Sequence, residues 1–182
     1  MKRLAIITTV FAVFLTVFFP LAQVAKAQET TPMTEAHIER IRANCVEAQS
    51  VLRRLHASDA LLRVNRGQLY ELLSTRLMAP MNGRIAFNKL DSMGLVAITA
   101  DYERQLDSFR QKYKEYEESM SSILEMDCTN QPVAFYDKVN ETREMREKVN
   151  QATLVLHQTI ADYRVSFDAF AKTLNETGEQ SK

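Results

Sequence analysis

Apolar side chains recur at steps of three and four residues along three long stretches of this 182-residue chain, and this spacing limits its fold more than any other feature. The stripes cover residues 38–73, 95–123 and 135–174. Such spacing places apolar side chains on one face of an α-helix, as along a coiled-coil seam. Only four glycines and four prolines occur, so few tight turns are expected. The sequence therefore predicts an all-α fold, an antiparallel bundle of three long amphipathic helices.

Prolines and glycines predict where the helices end. Pro80 and the Asn82-Gly83 pair are typical of a helix end and a turn, so we expect the first helix to stop there. A break or a short helix is then expected near residues 80–94. Pro132 suits the first turn of a helix, where a missing N–H needs no intrahelical partner. The third helix should begin near that proline.

Asp59 and Arg66 occupy two positions of the apolar stripe in the middle of the first helix and weaken it there. Asp59 interrupts the stripe, which continues through Leu62 and Leu69. Gly67 costs about 1 kcal/mol relative to alanine in a helix interior. We therefore predict a kink near residues 57–67, whose role the sequence does not indicate.

The amino terminus has the pattern of an export signal. Two basic residues precede residues 4–25, which carry no charge, and the segment closes with Ala25-Lys26-Ala27. Small residues in this spacing predict cleavage between Ala27 and Gln28. An uncleaved transmembrane anchor is the alternative, because 22 uncharged residues are enough to cross a bilayer. Either outcome predicts an extracytoplasmic protein, periplasmic, secreted or at the surface, and membrane-anchored if residues 4–25 are retained.

The prediction divides the chain into four parts. They are a signal peptide at residues 1–27, a linker at 28–33, one helical domain at 34–174 and a disordered tail at 175–182. Removal of the signal leaves 20 basic and 23 acidic side chains, a net charge of −3. This balance gives no electrostatic footprint for nucleic acid. Residues 34–90 are net basic and residues 91–126 net acidic, so the first two helices carry complementary charge.

The two cysteines test the proposed topology. A hairpin centred near residue 86 brings Cys45 level with residue 127, next to Cys128. Outside the cytoplasm such a pair is expected to oxidise, and we predict a disulfide bond between them. The alternatives are a buried, reduced Cys45 or an intermolecular link through Cys128.

Six apolar side chains, three of them methionines, lie close together in the sequence around the first hairpin turn. They are Met78, Met81, Ile85, Phe87, Leu90 and Met93. One interpretation is that they close that end of the core, since methionine fills irregular gaps. The other is an apolar tip that binds a protein partner or an unfolded client.

No motif indicates catalysis, a metal site or a cofactor. The sequence lacks H-E-x-x-H, C-x-x-C and C-x-x-C-H, and His56, His157 and Asp59 form only a weak candidate metal set. We therefore predict a non-enzymatic exported interaction or scaffold protein of the cell envelope or surface, with a partner that the sequence does not identify. The alternatives are a periplasmic coiled-coil holdase chaperone that uses the apolar tip, and a bundle that carries a metal or haem. Exposed seam residues are also compatible with an oligomer.

Overall fold

The structure, a computed structural model, describes residues 33–180, and for residues 177–180 it describes the backbone alone. The predicted signal peptide and its cleavage site lie outside these residues. Every element within them is helical, so the predicted all-α class is confirmed. The elements are α1 (Glu35–Ala43), α2 (Cys45–Leu72), a π-helical segment (Leu73–Met78), α3 (Ala79–Phe87), α4 (Met93–Glu125) and α5 (Pro132–Gln180).

Helix α2 continues without a break through residues 57–67, where a kink is predicted. Asp59 and Gly67 are both buried, and each is accommodated by a contact to a neighbouring side chain, as described below. The helical path is instead interrupted at Asn44, between α1 and α2, and again in the π-helical segment. Thr34, the residue before α1, has an extended backbone conformation.

The first hairpin turn lies later than predicted. Pro80 does not end the helix, which continues to Phe87 before a turn at residues 88–92. The π-helical segment interrupts the α-helical hydrogen-bond register just before Pro80, which then lies in the first turn of α3. Proline is tolerated in that turn because its missing N–H needs no intrahelical partner. The predicted break at residues 80–94 is therefore confirmed, but only its later part is non-helical.

Asn82 is a buried structural residue and not part of a turn. Its side-chain amide donates to Thr99 Oγ1 at 2.8 Å, and its carbonyl oxygen accepts from the Tyr163 hydroxyl at 3.0 Å. One side chain therefore links α3, α4 and α5. Buried polar atoms need such partners, because an unpaired one costs about 1–3 kcal/mol. This pairing explains why an asparagine next to Gly83 stays within a helix.

Helix α4 packs against both α2 and α5. Of the three predicted apolar stripes, that of α4 agrees best with the residues that are buried. Its buried apolar residues are Leu95, Tyr102, Leu106, Phe109, Tyr116, Met120 and Ile123. All of them except Tyr116 and Met120 belong to one of two separate apolar clusters. The turn-side cluster has the buried members Tyr70, Met78, Ile85, Leu95, Tyr102, Leu106, Phe109, Ala152, Leu156 and Tyr163. The cystine cluster has the buried members Cys45, Ile123, Cys128 and Phe135.

The predicted disulfide bond between Cys45 and Cys128 is present, with the two Cα atoms 5.6 Å apart. It joins the first residue of α2 to the turn between α4 and α5. Two further bonds reach the same turn: Gln49 Nε2 donates to the Met126 carbonyl at 2.8 Å, and Arg42 Nε donates to the Thr129 carbonyl at 3.0 Å. The cystine end is thus closed by one covalent bond and two hydrogen bonds.

Helix α5 begins at Pro132 as predicted and runs on to Gln180, past the expected domain end at residue 174. No helix-breaking residue precedes Gly178 in this stretch, and Lys172 lies 4.0 Å from Glu176 one turn later. Within residues 33–180, no helix combines the length and apolar character needed to cross a membrane. The candidate span at residues 4–25 lies outside that range.

Candidate functional site

The six apolar residues predicted to form a partner-binding tip do not share one surface. Met78 and Ile85 are buried in the turn-side cluster, and Met81 packs against it. The remaining members, which flank the turn between α3 and α4, are Phe87, Leu90 and Met93. The first and last of these are 88% and 80% exposed. A contact surface at this end therefore has three apolar members, while the other three stabilise the core.

Two leucines predicted to lie in the first helix seam are exposed. Leu62 lies at the rim of an interhelical cleft, and Leu69 is 54% exposed. The physical reason is that Asp59 and Tyr70 point inward and make polar contacts to α5, which fixes the rotation of α2. The outward-facing residues of α2 are Arg54, Leu61, Leu69 and Leu72, which we call the outer face of α2.

A buried polar layer separates the two apolar clusters. Arg146 of α5 donates two hydrogen bonds to the Asp59 carboxylate, from Nε at 2.7 Å and from an Nη at 3.0 Å. The Tyr116 hydroxyl of α4 donates to the same carboxylate at 2.7 Å. Next to it, the hydroxyls of Ser119 and Thr142 share a 2.6 Å hydrogen bond. One carboxylate of α2 therefore holds both neighbouring helices.

Electrostatics in this layer favour the ionised carboxylate. Burial raises the pKa of Asp59, but the hydrogen bonds from Arg146 and Tyr116 and the positive charge of Arg146 outweigh it and lower the pKa. For Tyr116, burial and the adjacent Asp59 charge raise the pKa of the phenol. The phenol thus stays protonated and can keep donating.

A cleft of about 690 Å³ opens beside this layer, between α2, α4 and α5. Its volume is in the range of small-molecule sites. Aromatic side chains of α2 and α4 form its floor, and arginines from α2 and α5 line its walls. The aromatic residues are Tyr70, Phe109, Tyr113 and Tyr116, and the arginines are Arg63, Arg66, Arg143 and Arg146. Asp59, Glu144 and Glu147 are the acidic residues of the lining.

Arg63 is positioned over the aromatic floor by a glycine. Its guanidinium carbon lies 5.7 Å from the ring centre of Phe109 and 5.5 Å from that of Tyr113, within cation–π range. A Cβ atom at Gly67 would lie 2.0 Å from Arg63 Nη1. The missing side chain at residue 67 therefore gives the guanidinium the space in which it folds back. Glycine at this position lowers the stability of the helix by about 1 kcal/mol relative to alanine.

Tyr113 connects the cleft to a histidine–carboxylate pair on its far side. Burial, together with the charge of Glu117, raises the pKa of Tyr113 to about 12. Glu117 pairs with His56 Nε2 through one oxygen, and its other oxygen is buried and has no hydrogen-bond partner in the described structure. This pair links α2 to α4 three residues before Asp59.

The weak candidate metal set is dispersed. His56 pairs with Glu117, His157 shares a 2.9 Å hydrogen bond with Tyr70, and Asp59 is held by Arg146. Among residues 33–180, no three histidine, cysteine, aspartate or glutamate side chains converge at metal-binding distances. Nothing in the described part of the chain therefore favours the metal-carrying alternative.

The sequence predicted a net basic first helix but did not indicate a cleft. The signal available was the spacing of Arg63 and Gly67, a long cation one helical turn before a glycine, in a stripe already interrupted by Asp59. Comparisons with protein families, with curated proteins and with solved structures find no match to this chain. No residue of the cleft therefore receives a role by similarity.

Proposed function

We propose that this protein is a non-enzymatic, exported, antiparallel bundle of three long helices that binds another protein by contact along the outer face of α2. The carrying observation is the apolar character of that face. Leu61 is 63% exposed, and Leu69 and Leu72 follow it by eight and eleven residues, which places all three on one side of the helix. Export is supported by the signal pattern of residues 1–27.

The solvent-facing side of α4 differs from the outer face of α2. Beyond Val96, α4 leaves no large apolar side chain exposed within the described residues, and its solvent side is charged. Helix α5 also exposes large apolar side chains, among them Leu154 and Val165, so this contrast separates α2 from α4 and not from every long helix. Contiguous exposed apolar side chains on a folded protein are typical of an interaction site.

The charge of α2 indicates the kind of partner. Arg53 and Arg54 are exposed, and Arg54 lies two helical turns before Leu61 on the same face. A complementary surface would present apolar side chains with carboxylates beside them. An amphipathic acidic helix meets both requirements, because helices dock through apolar side chains spaced by three and four residues.

A triple variant tests the proposal. Leu61, Leu69 and Leu72 are changed together to serine, and partners crosslinked in the native envelope are identified by mass spectrometry. Because the leucines are exposed, the fold should persist, while recovery of the crosslinked partner should fall by about tenfold or more. The matched control changes the exposed Leu154 and Val165 of α5 to serine, and its recovery should equal that of the unmodified protein.

Three results would contradict the proposal. Undiminished crosslinking of the triple variant would remove the outer face of α2 from contact. Recovery of a second copy as the main product, with a matching dimer mass in sedimentation equilibrium, would replace a foreign partner with self-association. Substrate turnover abolished by changes at a few clustered residues would show that the protein is an enzyme.

A second candidate, a holdase chaperone, is favoured by the exposure of Phe87 and Met93 at the turn. A double change of these residues to serine should abolish the suppression of aggregation of a heat-denatured test protein. Met78 is unsuitable for this test, because it is buried and its substitution would destabilise the core. Suppression that survives the double change would exclude the turn as the client site.

A further inference from the structure

We propose that the cleft between α2, α4 and α5 binds one small molecule with an apolar body and a single anionic group, such as a carboxylate or a sulfonate. This site lies on the inner side of α2, and it is therefore independent of the protein contact proposed for the outer face.

The cleft persists because α2 and α5 touch mainly through polar links. Asp59 bonds to Arg146 near one end, and Tyr70 bonds to His157 near the other. Tyr70 follows Asp59 by eleven positions, which correspond to about 16 Å of helix at 1.5 Å per residue. Between these links, the side chains leave the volume of about 690 Å³ unfilled. An opening of this length fits a fused-ring or short-chain body.

The floor of the cleft offers aromatic surface to such a body. The rings of Tyr70 and Phe109 meet edge to face, with centres 5.7 Å apart and planes at 86°. Tyr113 and Tyr116 continue this floor along α4, with ring centres 6.1 Å apart. Leu62 and Val149 close the sides. Aromatic and aliphatic walls with a few polar groups are typical of small-molecule sites.

The arginines supply the charge that would select an anion. Arg146 is already paired with Asp59, whereas Arg63, Arg66 and Arg143 take part in no ion pair within the described residues. Glu144 and Glu147 are exposed side chains of α5. A guanidinium beside apolar rings binds a carboxylate or sulfonate strongly, because the surroundings screen the charge less than water does.

Gly67 is compatible with this position of the cation. A Cβ atom at residue 67 would meet only the flexible end of the Arg63 side chain, so a larger residue there would displace the guanidinium and leave the backbone in place. The absence of a side chain at residue 67 therefore leaves room for the guanidinium over the cleft floor.

Two fluorescent probes with the same aromatic body test the proposal. Anilinonaphthalene sulfonate carries the anionic group, and phenylnaphthylamine lacks it. We expect the sulfonate to bind the intact, oxidised protein at one site per chain and about tenfold or more tightly than the neutral probe, as one charge-assisted contact implies.

Variants locate the site. Arg63→Gln should weaken sulfonate binding about tenfold and leave neutral-probe binding nearly unchanged. Gly67→Ala keeps every charge but displaces the guanidinium, so it should weaken sulfonate binding in the same way without lowering the thermal unfolding midpoint. Leu62→Trp, which fills the cleft, should reduce binding of both probes. The matched control is Arg164→Gln, an exposed arginine of α5 that should change neither affinity.

The proposal fails if the sulfonate does not bind, or if both probes bind equally well. It also fails if Arg63→Gln and Gly67→Ala leave the affinity unchanged. Loss of binding in a Phe87→Ser, Met93→Ser protein with an unaltered cleft would assign the probe to the turn instead. Each variant's circular dichroism and unfolding midpoint show whether a lost affinity reflects a lost fold.

Discussion

The cystine cluster and the turn-side cluster are stabilised in different ways. The first has four buried members among the described residues and is closed by the bond between Cys45 and Cys128. The second has ten buried members and no covalent link, and it contains the buried amide of Asn82. A small core gains little from burial, so a crosslink that restricts the unfolded chain contributes a larger share there. A larger core can include a polar side chain, provided that every polar atom is paired.

Removal of the disulfide should have the largest effect and should fall on the cystine cluster. With 83 residues between the cysteines, Cys45→Ala combined with Cys128→Ala is expected to lower the free energy of unfolding by about 4 kcal/mol. Urea denaturation measures the loss, and reduction of the unmodified protein should reproduce it. Hydrogen exchange should accelerate more near Ile123 than near Tyr102. Equal acceleration at both would mean that the clusters are not distinct.

The turn-side cluster should respond most to loss of its buried amide. Asn82→Ala removes the acceptor of the Tyr163 hydroxyl and the amide that donates to Thr99 Oγ1, while Thr99 keeps its bond to the Leu95 carbonyl, so we expect a loss of about 1–3 kcal/mol in thermal or urea unfolding. The neighbouring control is Gly83→Ala, where a new Cβ would meet no atom within 4 Å. That change should stabilise the helix by up to about 1 kcal/mol. A neutral Asn82→Ala would show that the amide is not structurally important.

The polar layer between the clusters should make the free energy of unfolding depend on pH in the acidic range. The pKa of Asp59 is lower in the folded chain than in the unfolded one. Its stabilising contribution is therefore complete above the unfolded pKa of about 3.9 and is lost as the pH falls through the folded value. Asp59→Asn should remove this part of the slope and cost about 1–2 kcal/mol near neutral pH, a discounted figure because Arg146 is half exposed. Urea midpoints at several pH values measure it, and an unchanged slope would contradict the assignment.

The smallest change in unfolding free energy is expected at the turn between α3 and α4. Lys89 adopts a left-handed backbone conformation with φ of 58°, just past the end of α3. Glycine adopts this conformation without a steric cost, so Lys89→Gly should raise the unfolding free energy by up to about 1 kcal/mol. The exposed Lys172→Gly, in the interior of α5, should instead lower it. A loss of stability in Lys89→Gly would show that the lysine side chain contributes more than its backbone costs.

Much of α4 and α5 could be predicted because burial alone determines their stripes. Pro132 and the spacing of Tyr102, Leu106 and Phe109 each reflect a single strong preference. The pairing of Cys45 with Cys128 was predicted from a hairpin centred near residue 86 and from the expected oxidising compartment, and it holds although the turn lies later, at residues 88–92.

The first helix was harder to predict. Helix propensity reflects only the local effect of a residue on helix stability, and it does not include the contacts that the residue makes with distant parts of the chain. Pro80, Asn82 and Gly67 all look unfavourable locally. Each is accommodated by a feature that the local sequence does not show: a π-helical segment, two hydroxyl partners and an arginine side chain. The cleft itself was not predictable, because it results from how far α2 lies from α5.

The disulfide also determines how the molecule would carry tension. A pull applied across residue 33 and residue 176 passes along α1, through the sulfur–sulfur bridge and into α5, while α2 and α4 belong to a covalently closed loop that bears no load. In a single-molecule stretching measurement, breaking that bridge should release 83 residues of hidden length. At about 3.5 Å per extended residue, this adds roughly 290 Å to the final contour.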